Sequence, residues 1–506
     1  MRLVTPLEMM KLEDLANQSG VTYDIMMNRA GAGLAEHLGH IANECNQKKI
    51  VFLCGNGNNA GDCFVAATHL ADQFEITVCL TNGVPKTRTA YTKFRMMKHV
   101  TVLQDHAKIL EAVRENAIIV DGIFGIGFRG ELSPQIQEIF AAASETPDKQ
   151  IIAVDIPSGG SGLNGTVSPG TPHCNVTVTF GAAKTGLFIT PLSEHCGAIL
   201  LVDIGIPEDA FNELKYPITH IDSETVRSLL PGRPQNGHKG MFGKLLCVTG
   251  SRNMPGAAIL ATTAALRCGV GLCCLASDPD TCRMLIHQAP EATIQPLTTD
   301  QNGMLTQRSI PEILQAAKNA SCVLIGCGLG QSDEVRAAVR TLITELDCPI
   351  ILDADGLNAI VSGIDILRRA KSTVMLTPHP AEMGRLLHCT AEDVQKDRVT
   401  AAKRLASRFP NTVVVLKGAG TIVAVADHAS INTNGNSGMS KGGSGDVLAG
   451  IIASLTAQHI EPEHAAQIGV YLHGLAGDCA AAEFSKRAML PSDMIRQLPM
   501  LFGEFE

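Results

Sequence analysis

The chain has 506 residues, of which 45% are hydrophobic and 18% charged, and its formal net charge is −9. Because single hydrophobic cores rarely grow beyond roughly 250–300 residues, this length predicts more than one domain. The negative charge and the lack of a basic block argue against nucleic acid and anionic membranes as partners. No apolar run reaches the roughly 18 residues of a membrane span, and the N-terminus lacks a signal-peptide core.

The 16 cysteines are scattered, and many stand in apolar, strand-like runs. No CxxC pair occurs, so the sequence predicts neither a zinc site nor a disulfide framework. This distribution favours buried thiols in a reducing compartment, and we expect a cytoplasmic protein.

The N-terminal half begins with two helical patterns within residues 8–40 and continues as alternating strand and helix patterns. Its apolar strand patterns lie at 48–55, 74–82, 117–127, 151–160, 173–181 and 198–206. The sequence GNGNNAGD at 55–62 is predicted as a loop before a helix. Apolar strands that alternate with helices predict a parallel sheet covered on both faces.

Residues 207–240 interrupt this alternation, because they are polar and contain four prolines. We expect the domain boundary within about 208–225. A second series of apolar strand patterns follows at 243–251, 271–277, 321–330, 348–358, 374–382 and 412–427. The predicted fold class is therefore α/β, with two domains.

The stretch richest in chemistry is 434–455, where GGSG at 442–445 leads through Asp446 into a helical pattern. Free N–H groups at the start of a helix, together with its dipole, form an anion site. A carboxylate there cannot itself bind phosphate. Asp446 is suited to accept a proton from a hydroxyl that attacks the phosphate, or to hold a cation. The alternative is that Asp446 only caps the helix.

Other features of this half point to the same chemistry. His379 stands between two prolines, and Lys417 opens KGAGT at the end of a strand. Together with the glycine-rich strand ends, they offer hydrogen-bond donors for phosphates and a flat surface for a nucleobase. This combination favours phosphoryl transfer. Taken singly, His379 could be a hydrogen-bonded structural residue, Lys417 a solvated strand end, and Asp353 and Asp355 turn caps. No GxxxxGK[ST] motif occurs, which excludes a P-loop protein.

These motifs together resemble, across about 235–505, the ADP-dependent NAD(P)H-hydrate dehydratases. The resemblance is carried, in order, by PGAAILATTAALRCGVGL, IGCGLG, ILDADGLNAI, LTPHPAEMGRLL, VVLKGAGTIV and NTNGNSGMSKGGSGDVLAGII. It implies a ribokinase-like αβα domain over 235–506, preceded by a linker over 213–234. In that family ADP, with Mg²⁺, phosphorylates the hydroxyl of the hydrated nicotinamide ring, and elimination then restores NADH or NADPH.

The same resemblance implies roles for individual residues. Asp446 would activate the substrate hydroxyl. The adenine nucleotide would be held by Lys417, Gly418, Ala419, Gly420, Thr421 and Gly445. The hydrate would be lined by Ala257 or Ala258, Gly328 or Gly330, His379 and Asp446.

In the N-terminal half, three carboxylates follow or flank predicted strand ends: Asp62, Asp121 and Asp155. Oxygen ligands from Asn59, Asp121 and Ser158 could surround a hard cation, K⁺ or Na⁺ rather than a metal that needs His or Cys. The alternative for the GxGNN sequence is an ordinary turn.

This half resembles, across about 1–212, the NAD(P)H-hydrate epimerases. NRAG, GNGNNAGD, DGIFGIGFRG, AVDIPSG and TFGAAKTG follow that family's order, and fusion to a dehydratase is a known bacterial arrangement. The resemblance implies a Rossmann-like three-layer αβα domain over 1–212, with K⁺ on Asn59, Asp121 and Ser158. Asp155 would contact the substrate near C6 and act as acid or base. The hydrate would bind Asn58, Asn59, Ala60, Gly61, Asp62, Gly125, Ile126, Gly127, Phe128, Arg129, Gly130, Glu131 and Asp155.

The N-terminal half departs from its family at four positions. Ala60 and Cys63 replace glycines, and a Cβ at a position with positive φ would cost about 1–2 kcal/mol. Ser161 and Leu163 stand where the family usually has aspartates.

Three functions therefore remain open. The first is a repair enzyme that equilibrates R- and S-NAD(P)HX and dehydrates the S form at the expense of ADP. The second is a ribokinase-like small-molecule kinase, and the third a dehydratase with a non-catalytic N-terminal binding module. We expect NADHX or NADPHX and ADP as partners, and a homo-oligomer. No motif separates NADHX from NADPHX, or ADP from ATP.

Overall fold

A computed structural model describes residues 1–145 and 148–505. The chain divides into two compact units, Met1–Ile218 and Thr219–Glu506. This division lies inside the stretch 213–234, which contains a short strand and a helix. In the described part of the chain, none of the helices combines the length and the apolar character that a membrane span needs.

The first unit is built from nine strands and six helices among its described residues. They are β1 (Arg2–Val4), α1 (Pro6–Gln18), α2 (Tyr23–Glu44), β2 (Lys49–Cys54), α3 (Asn58–Leu70), β3 (Glu75–Leu80), α4 (Arg88–Met96), β4 (Val100–Leu103), α5 (His106–Glu115), β5 (Ile118–Gly122), α6 (Pro134–Ala143), β6 (Gln150–Val154), β7 (Val176–Phe180), β8 (Ala183–Lys184) and β9 (Ala198–Val202). Short 3-10 helices follow at Thr185–Phe188, Leu192–His195 and Glu208–Glu213.

Its main sheet has the strand order β4-β3-β2-β5-β6-β7-β9, and every pair is parallel. Alternate residues of β2 pack into different apolar clusters, Phe52 into one and Leu53 into the other. Both faces are thus buried, which explains the continuous apolar runs of the sequence. The carboxyl ends of β2, β5 and β6 meet at one edge, where ligands bind in such sheets. The short strands β1 and β8 pair in parallel and are not members of this seven-stranded sheet.

The predicted loop at 55–62 is wrong beyond Gly57, because α3 already begins at Asn58. Ala60 and Cys63 lie inside this helix and have no positive φ, so the strain anticipated for them does not arise. The Cys63 thiol packs where a side chain at Gly122 would be, since a Cβ there would lie 2.1 Å from its Sγ. The Cys63 side chain therefore fits because the neighbouring residue on β5, Gly122, has no side chain.

The second unit also alternates strands and helices. They are β10 (Ile218–His220), α7 (Ser223–Leu229), β11 (Lys244–Val248), α8 (Pro255–Arg267), β12 (Leu272–Ser277), α9 (Pro279–Gln288), β13 (Thr293–Pro296), α10 (Ser309–Ala317), β14 (Cys322–Ile325), α11 (Asp333–Glu345), β15 (Ile350–Leu352), α12 (Asp355–Asn358), β16 (Val374–Leu376), α13 (Pro380–Leu387), α14 (Ala391–Lys396), α15 (Arg398–Arg408), β17 (Thr412–Leu416), β18 (Thr421–Ala424), β19 (Ala429–Asn432), α16 (Ser444–Ala457), α17 (Pro462–Ala488) and α18 (Pro491–Phe505). The 3-10 helices are Val361–Arg369 and Ser437–Met439.

Its sheet runs in the order β13-β12-β11-β14-β15-β16-β17 with parallel pairing, and β18 and β19 extend it antiparallel. The single strand predicted at 412–427 is wrong, because the chain reverses between β17 and β18. Gly418 (φ +139°) and Gly420 (φ +68°) take conformations that side chains disfavour, and they allow the turn.

Two helices that begin at the carboxyl edge of this sheet, α8 and α16, pack closely. A Cβ at Gly450 would lie 2.1 Å from the carbonyl oxygen of Ala261, so only glycine permits this approach. The small residues of α8 thereby hold α16 against the sheet. Their packing positions the glycine-rich turn before α16.

Candidate active sites

Helix α16 begins without a side-chain cap. Its N-cap is Gly443, with φ +104°, so Asp446 in the first turn is not the cap and that alternative is wrong. His473 on α17 secures this turn by donating from Nε2 to the carbonyl oxygen of Ser444 at 2.9 Å. Burial lowers the pKa of His473 to about 4, so the ring is neutral. The start of α16 is therefore fixed in place.

A buried ion pair lies beside Asp446. Lys417 Nζ is 2.6 Å from Asp353 Oδ1, and the Thr377 hydroxyl donates to the same oxygen at 2.7 Å. Burial lowers the pKa of Lys417, but the charges of Asp353 and Glu382 outweigh it and the pKa is raised. The Lys417 side chain is only 17% exposed, so it is a buried cation, not the solvated strand end of the alternative.

Asp446 is left outside this pair. Ligand atoms of Asp446, Asp353 and Cys327 all lie within 4.8 Å of one another. Burial, followed by repulsion from Asp353, raises the pKa of Asp446 to about 6. A carboxyl group with this pKa exchanges protons near neutral pH, as a general base must.

The KGAGT turn is organised by Arg398, which the sequence analysis did not single out. Its Nη2 donates to the carbonyl oxygens of Leu416, Lys417 and Gly420 at 3.2–3.3 Å. Because a Cβ at Gly418 would lie 2.9 Å from Arg398 Nη1, the turn requires glycine there. In the sequence, Arg398 is one of several basic residues in a helical pattern, so no local signal marks it.

Gly445 faces the same cluster. A Cβ at this position would lie 3.3 Å from Lys417 Nζ and 3.8 Å from Asp353 Oδ2. The structure thus brings together Gly445, Lys417 and Asp446, which were assigned to the nucleotide and to catalysis. Ala419 and Thr421 lie on the same turn as Lys417, and the Thr421 hydroxyl donates to the carbonyl oxygen of Gly418 at 2.9 Å.

The residues predicted to line the hydrate site differ in their accessibility. A Cβ at Gly328 would lie 2.9 Å from the Cβ of Ala257, so these two residues are neighbours. Ala258, in contrast, is fully buried against Gly250. Of the two alanines, Ala257 is therefore the one that remains partly accessible. The amide of Gly330 donates to Asp355 Oδ2 at 2.9 Å, so Asp355 holds the Gly330 turn.

His379 is the N-cap of α13. Its Nδ1 accepts hydrogen bonds from the amides of Ala381 and Glu382 at 3.1 and 3.4 Å. The alternative that His379 is a hydrogen-bonded structural residue is therefore correct for its Nδ1 atom. Since Nδ1 accepts, the hydrogen of the neutral ring is on Nε2, which lies 3.5 Å from Glu382 Oε1. Burial lowers the pKa of His379, which favours this neutral form.

The N-terminal unit carries a comparable pair around Asp155. Lys184 Nζ lies 2.5 Å from Asp155 Oδ1, and the Thr179 hydroxyl donates to the same oxygen at 3.0 Å. Asp155 has φ +69°, a conformation that costs a non-glycine residue about 1–2 kcal/mol. Such strain is typical of functional positions. Lys184 belongs to the TFGAAKTG motif but was not predicted as a site residue.

Asn59 and Gly125 complete this surface. Asn59 Nδ2 donates to the carbonyl oxygens of Phe124 and Val154 at 3.0 and 3.1 Å, which fixes the amide orientation. A Cβ at Gly125 would lie 3.1 Å from Asn59 Oδ1 and 3.3 Å from Asp155 Oδ2. Two acceptor oxygens thus converge on the space that Gly125 leaves open.

Asp121 and Ser158 are bonded to each other. The Ser158 amide donates to Asp121 Oδ2 at 2.7 Å, and its hydroxyl donates to Oδ1 at 2.6 Å. The Phe124 amide in turn donates to Ser158 Oγ at 2.9 Å, which links this pair to the Asn59 contact. Burial raises the pKa of Asp121 to about 6, against these hydrogen bonds. Asp121 and Ser158 thus form one hydrogen-bonded pair, and the backbone of Phe124 connects this pair to Asn59.

Two further carboxyl groups surround Asp155. Burial and the charges of Asp155 and Glu13 raise the pKa of Asp62 well above its usual range. Burial also raises the pKa of Glu13 to about 7, although the charge of Lys184 lowers it. Glu13, on α1, was not predicted from the sequence, because nothing near it suggests a site.

The remaining predicted residues differ in what they can offer a ligand. Ala60 is fully buried in the first turn of α3, backbone included, so it presents no exposed atom to a ligand. Gly61 is buried against Met27, whereas Asn58 is exposed. The other positions continue past Gly125 as a half-buried to exposed loop: Ile126, Gly127, Phe128, Arg129, Gly130 and Glu131. Their assignment to the hydrate stays a prediction.

Comparison with known proteins covers both units. Residues 245–500 match the family described as NAD(P)H-hydrate dehydratase, and residues 23–186 match the YjeF-related protein N-terminus. The chain is 34% identical to the bifunctional NAD(P)H-hydrate repair enzyme Nnr of Moorella thermoacetica, over 100% of this chain and 97% of that protein. It is 33% identical to the Escherichia coli enzyme of the same name, over 88% and 83%.

One solved structure similar to the second unit is a hypothetical protein, SMU.573, from Streptococcus mutans. It is 25% identical, with a TM-score of 0.50, and the match covers 57% of this chain and 99% of that one.

Proposed function

The chain belongs to the family of bifunctional NAD(P)H-hydrate repair enzymes, and we propose that its two units divide the repair between them. It is an enzyme with a lyase and an isomerase activity on hydrated nicotinamide cofactors. In our proposal, the first unit interconverts R- and S-NAD(P)HX, and the second dehydrates the S form with ADP. The observation that supports this most directly is Asp446, a half-buried carboxyl group at the uncapped start of α16 that forms no ion pair with any of the described residues.

In the second unit, Asp446 takes the proton of the hydrate hydroxyl as its oxygen attacks the terminal phosphorus of ADP. AMP leaves, and the ring then expels inorganic phosphate while a neighbouring carbon loses a proton. The sum is NAD(P)HX plus ADP giving NAD(P)H, AMP and phosphate. Lys417 and the free amides of α16 offer positive charge and donors for the phosphoryl group.

Mg²⁺ would enter with the nucleotide. The oxygens of Asp446 and Asp353 are hard donors that suit Mg²⁺, whereas the nearby Cys327 thiol does not. Bound there, the ion would neutralise phosphate charge. The chain's own contribution is to hold the donors: Lys417 and Thr377 fix Asp353, and His473 fixes the α16 turn.

In the first unit, Asp155 is the acid or base that exchanges a proton with the hydroxyl at C6. The free amides at the start of α3 suit the pyrophosphate of the same substrate, because the N-cap of that helix is Gly57 and lacks a side chain. With the pyrophosphate there, we expect the reacting ring to lie toward β5 and β6, near Asp155 and Gly125.

K⁺ would be held by Asn59, Asp121 and Ser158. These residues fit the ion, because all three supply oxygen. None of the residues that the structure describes donates to Asn59 Oδ1, while its Nδ2 is used. A bound cation would supply a counter-charge for Asp121, whose pKa burial raises.

The decisive experiment follows the absorbance of restored reduced nicotinamide from a mixed R/S NADH-hydrate sample, with Mg²⁺ and K⁺, with and without ADP. We expect nearly complete recovery that depends on ADP. A fast rise that stops at the S fraction would mean a non-catalytic first unit. No rise would return the second unit to the kinase alternative, and ATP and NADPH hydrate in parallel samples would measure both preferences.

We also propose that the protein acts in the cytoplasm and as a homo-oligomer. All sixteen cysteines are free, which suits a reducing compartment. Cell fractionation tests the first statement, and light scattering of the purified protein tests the second.

A further inference from the structure

We propose that Lys184 is a positioning residue of the epimerase site, which holds one oxygen of Asp155 so that only the other can meet the substrate hydroxyl. This inference rests on the epimerase activity proposed for the first unit. It concerns the division of labour between the two oxygens of a single carboxylate.

The contacts of Lys184 define what it can and cannot do. Its Nζ donates to Asp155 Oδ1 at 2.5 Å, to Thr179 Oγ1 at 3.1 Å and to the carbonyl oxygen of Phe180 at 3.0 Å. An ammonium group has three hydrogens, so all of them are used. The side chain is 2% exposed. Lys184 therefore has no donor left for the substrate, and it acts through Asp155.

The two oxygens of Asp155 are consequently unequal. Oδ1 accepts from Lys184 and from the Thr179 hydroxyl. Among the described residues, 1–145 and 148–505, none donates a hydrogen bond to Oδ2. A charge-assisted bond at Oδ1 fixes the carboxylate plane, which leaves the lone pairs of Oδ2 for the ligand.

Oδ2 points to a space that the chain keeps open. It lies 3.3 Å from the position of a Cβ on Gly125, and Asn59 Oδ1 lies 3.1 Å from the same point. The Asn59 amide cannot turn its NH₂ toward Oδ2, because both hydrogens serve Phe124 and Val154. Oδ2 faces this space with its lone pairs free, and the C6 hydroxyl of the hydrate can donate to it.

The positive charge of Lys184 also matters, because several carboxyl groups lie around it. It is the cation among three carboxyl groups, those of Asp155, Asp62 and Glu13, which come from different elements. In the described part of the chain, its ion pair is with Asp155 alone. The pairing therefore selects which of the three carboxyl groups is oriented toward Gly125.

The test uses the full-length protein with purified R-NADHX, ADP, Mg²⁺ and K⁺, so that the second unit reports each epimerised molecule. We expect Lys184→Met to lower the epimerase kcat at least about 100-fold with KM within about threefold, because substrate contacts remain while the carboxylate is free to turn. Lys184→Arg should recover at least a tenth of the wild-type kcat. Thr179→Val, which removes the weaker donor to Oδ1, should lower kcat about five- to tenfold.

Lys149→Met is the matched control. Lys149 is also buried and donates to the carbonyl oxygens of Val113 and Arg114 at 2.6 and 3.1 Å, but it has no contact with Asp155. Its kcat should stay within twofold of wild type. S-NADHX turnover, measured in every variant, verifies the second unit, and a urea unfolding curve compared with wild type verifies that the first unit is folded.

The inference is overturned if Lys184→Met keeps its kcat within threefold, or if only KM changes. If Lys184→Met does not fold, Thr179→Val and Lys184→Arg decide in the same way, and an unchanged kcat in Thr179→Val counts against it. Wild-type protein that turns over S-NADHX but consumes R-NADHX only at the spontaneous rate would overturn the proposed epimerase function itself, and this inference with it.

Discussion

Each unit contains a buried lysine–aspartate pair, and the two pairs serve their sites differently. In the first unit, Lys184 lies 2.5 Å from Asp155, which is itself the proposed acid or base. In the second, Lys417 lies 2.6 Å from Asp353, while the proposed base, Asp446, stays outside the pair. In the first unit the lysine–aspartate pair therefore orients the proposed acid or base, Asp155. In the second unit the pair only lies next to the proposed base, Asp446.

The difference shows how position sets the protonation of a buried carboxyl group. Within residues 1–145 and 148–505, Asp446 forms no ion pair, and it stands next to Asp353, so burial and like charge raise its pKa to about 6. A base with this pKa is ionised at neutral pH and still accepts a proton readily. Asp155 instead keeps its counter-ion, which suits a group that must stay fixed in orientation.

The largest expected effect is the loss of dehydratase activity when the carboxylate of Asp446 is removed. Asp446→Asn is expected to lower S-NADHX dehydration about 10³-fold or more, since a general base contributes about 10²–10⁴. ADP affinity measured without Mg²⁺ should change little, because Asp446 itself makes no phosphate contact in our proposal. Turnover measures the first effect and equilibrium ADP binding the second. Unchanged turnover would remove Asp446 from the mechanism.

Loss of the cation should affect the second site in two ways. Lys417→Met leaves Asp353 buried without its partner, which typically costs about 3–5 kcal/mol, and should lower dehydration about 100-fold. The pKa of Asp446 should also rise, because Lys417 lowers it. Urea unfolding and the pH profile of S-NADHX turnover measure both changes. Lys184→Met serves as the control, and it should leave this profile in place.

The pH dependence of the wild-type dehydratase sharpens the comparison further. The active form of Asp446 is the carboxylate, so activity should be lost as pH falls through about 6. Turnover at saturating substrate is expected to drop about tenfold between about pH 7 and pH 5. A limb near pH 4 would contradict the assignment, since an unperturbed aspartate titrates there.

The smallest effect is expected at His379, whose cap and ligand roles can be separated. His379→Asn keeps an N-cap side chain, so the free energy of unfolding should change by less than about 0.5 kcal/mol, whereas His379→Ala should cost about 1 kcal/mol. Both variants lose Nε2, and the KM for S-NADHX should rise about threefold in each. Equal KM values in wild type and both variants would limit His379 to its structural role.

Local sequence patterns were sufficient for much of this protein. The alternation of apolar runs predicted two α/β units, because strands buried on both faces must be apolar throughout. The sequence motifs indicated the family, and that resemblance supplied the roles proposed for Asp446 and Asp155. The same patterns failed where local propensity competes with helix capping and turns, at the start of α3 and between β17 and β18.

Only the tertiary structure decided which charges meet. Lys184 lies 29 residues from Asp155, and Lys417 lies 64 residues from Asp353, so neither pair has a local signature. Nor could sequence show that Asp446 would be left unpaired, because its environment is built by strands and helices distant in the chain. The residue types were thus determined by the sequence, whereas burial and pairing, which set orientation and pKa, followed from the packing of the sheet edges.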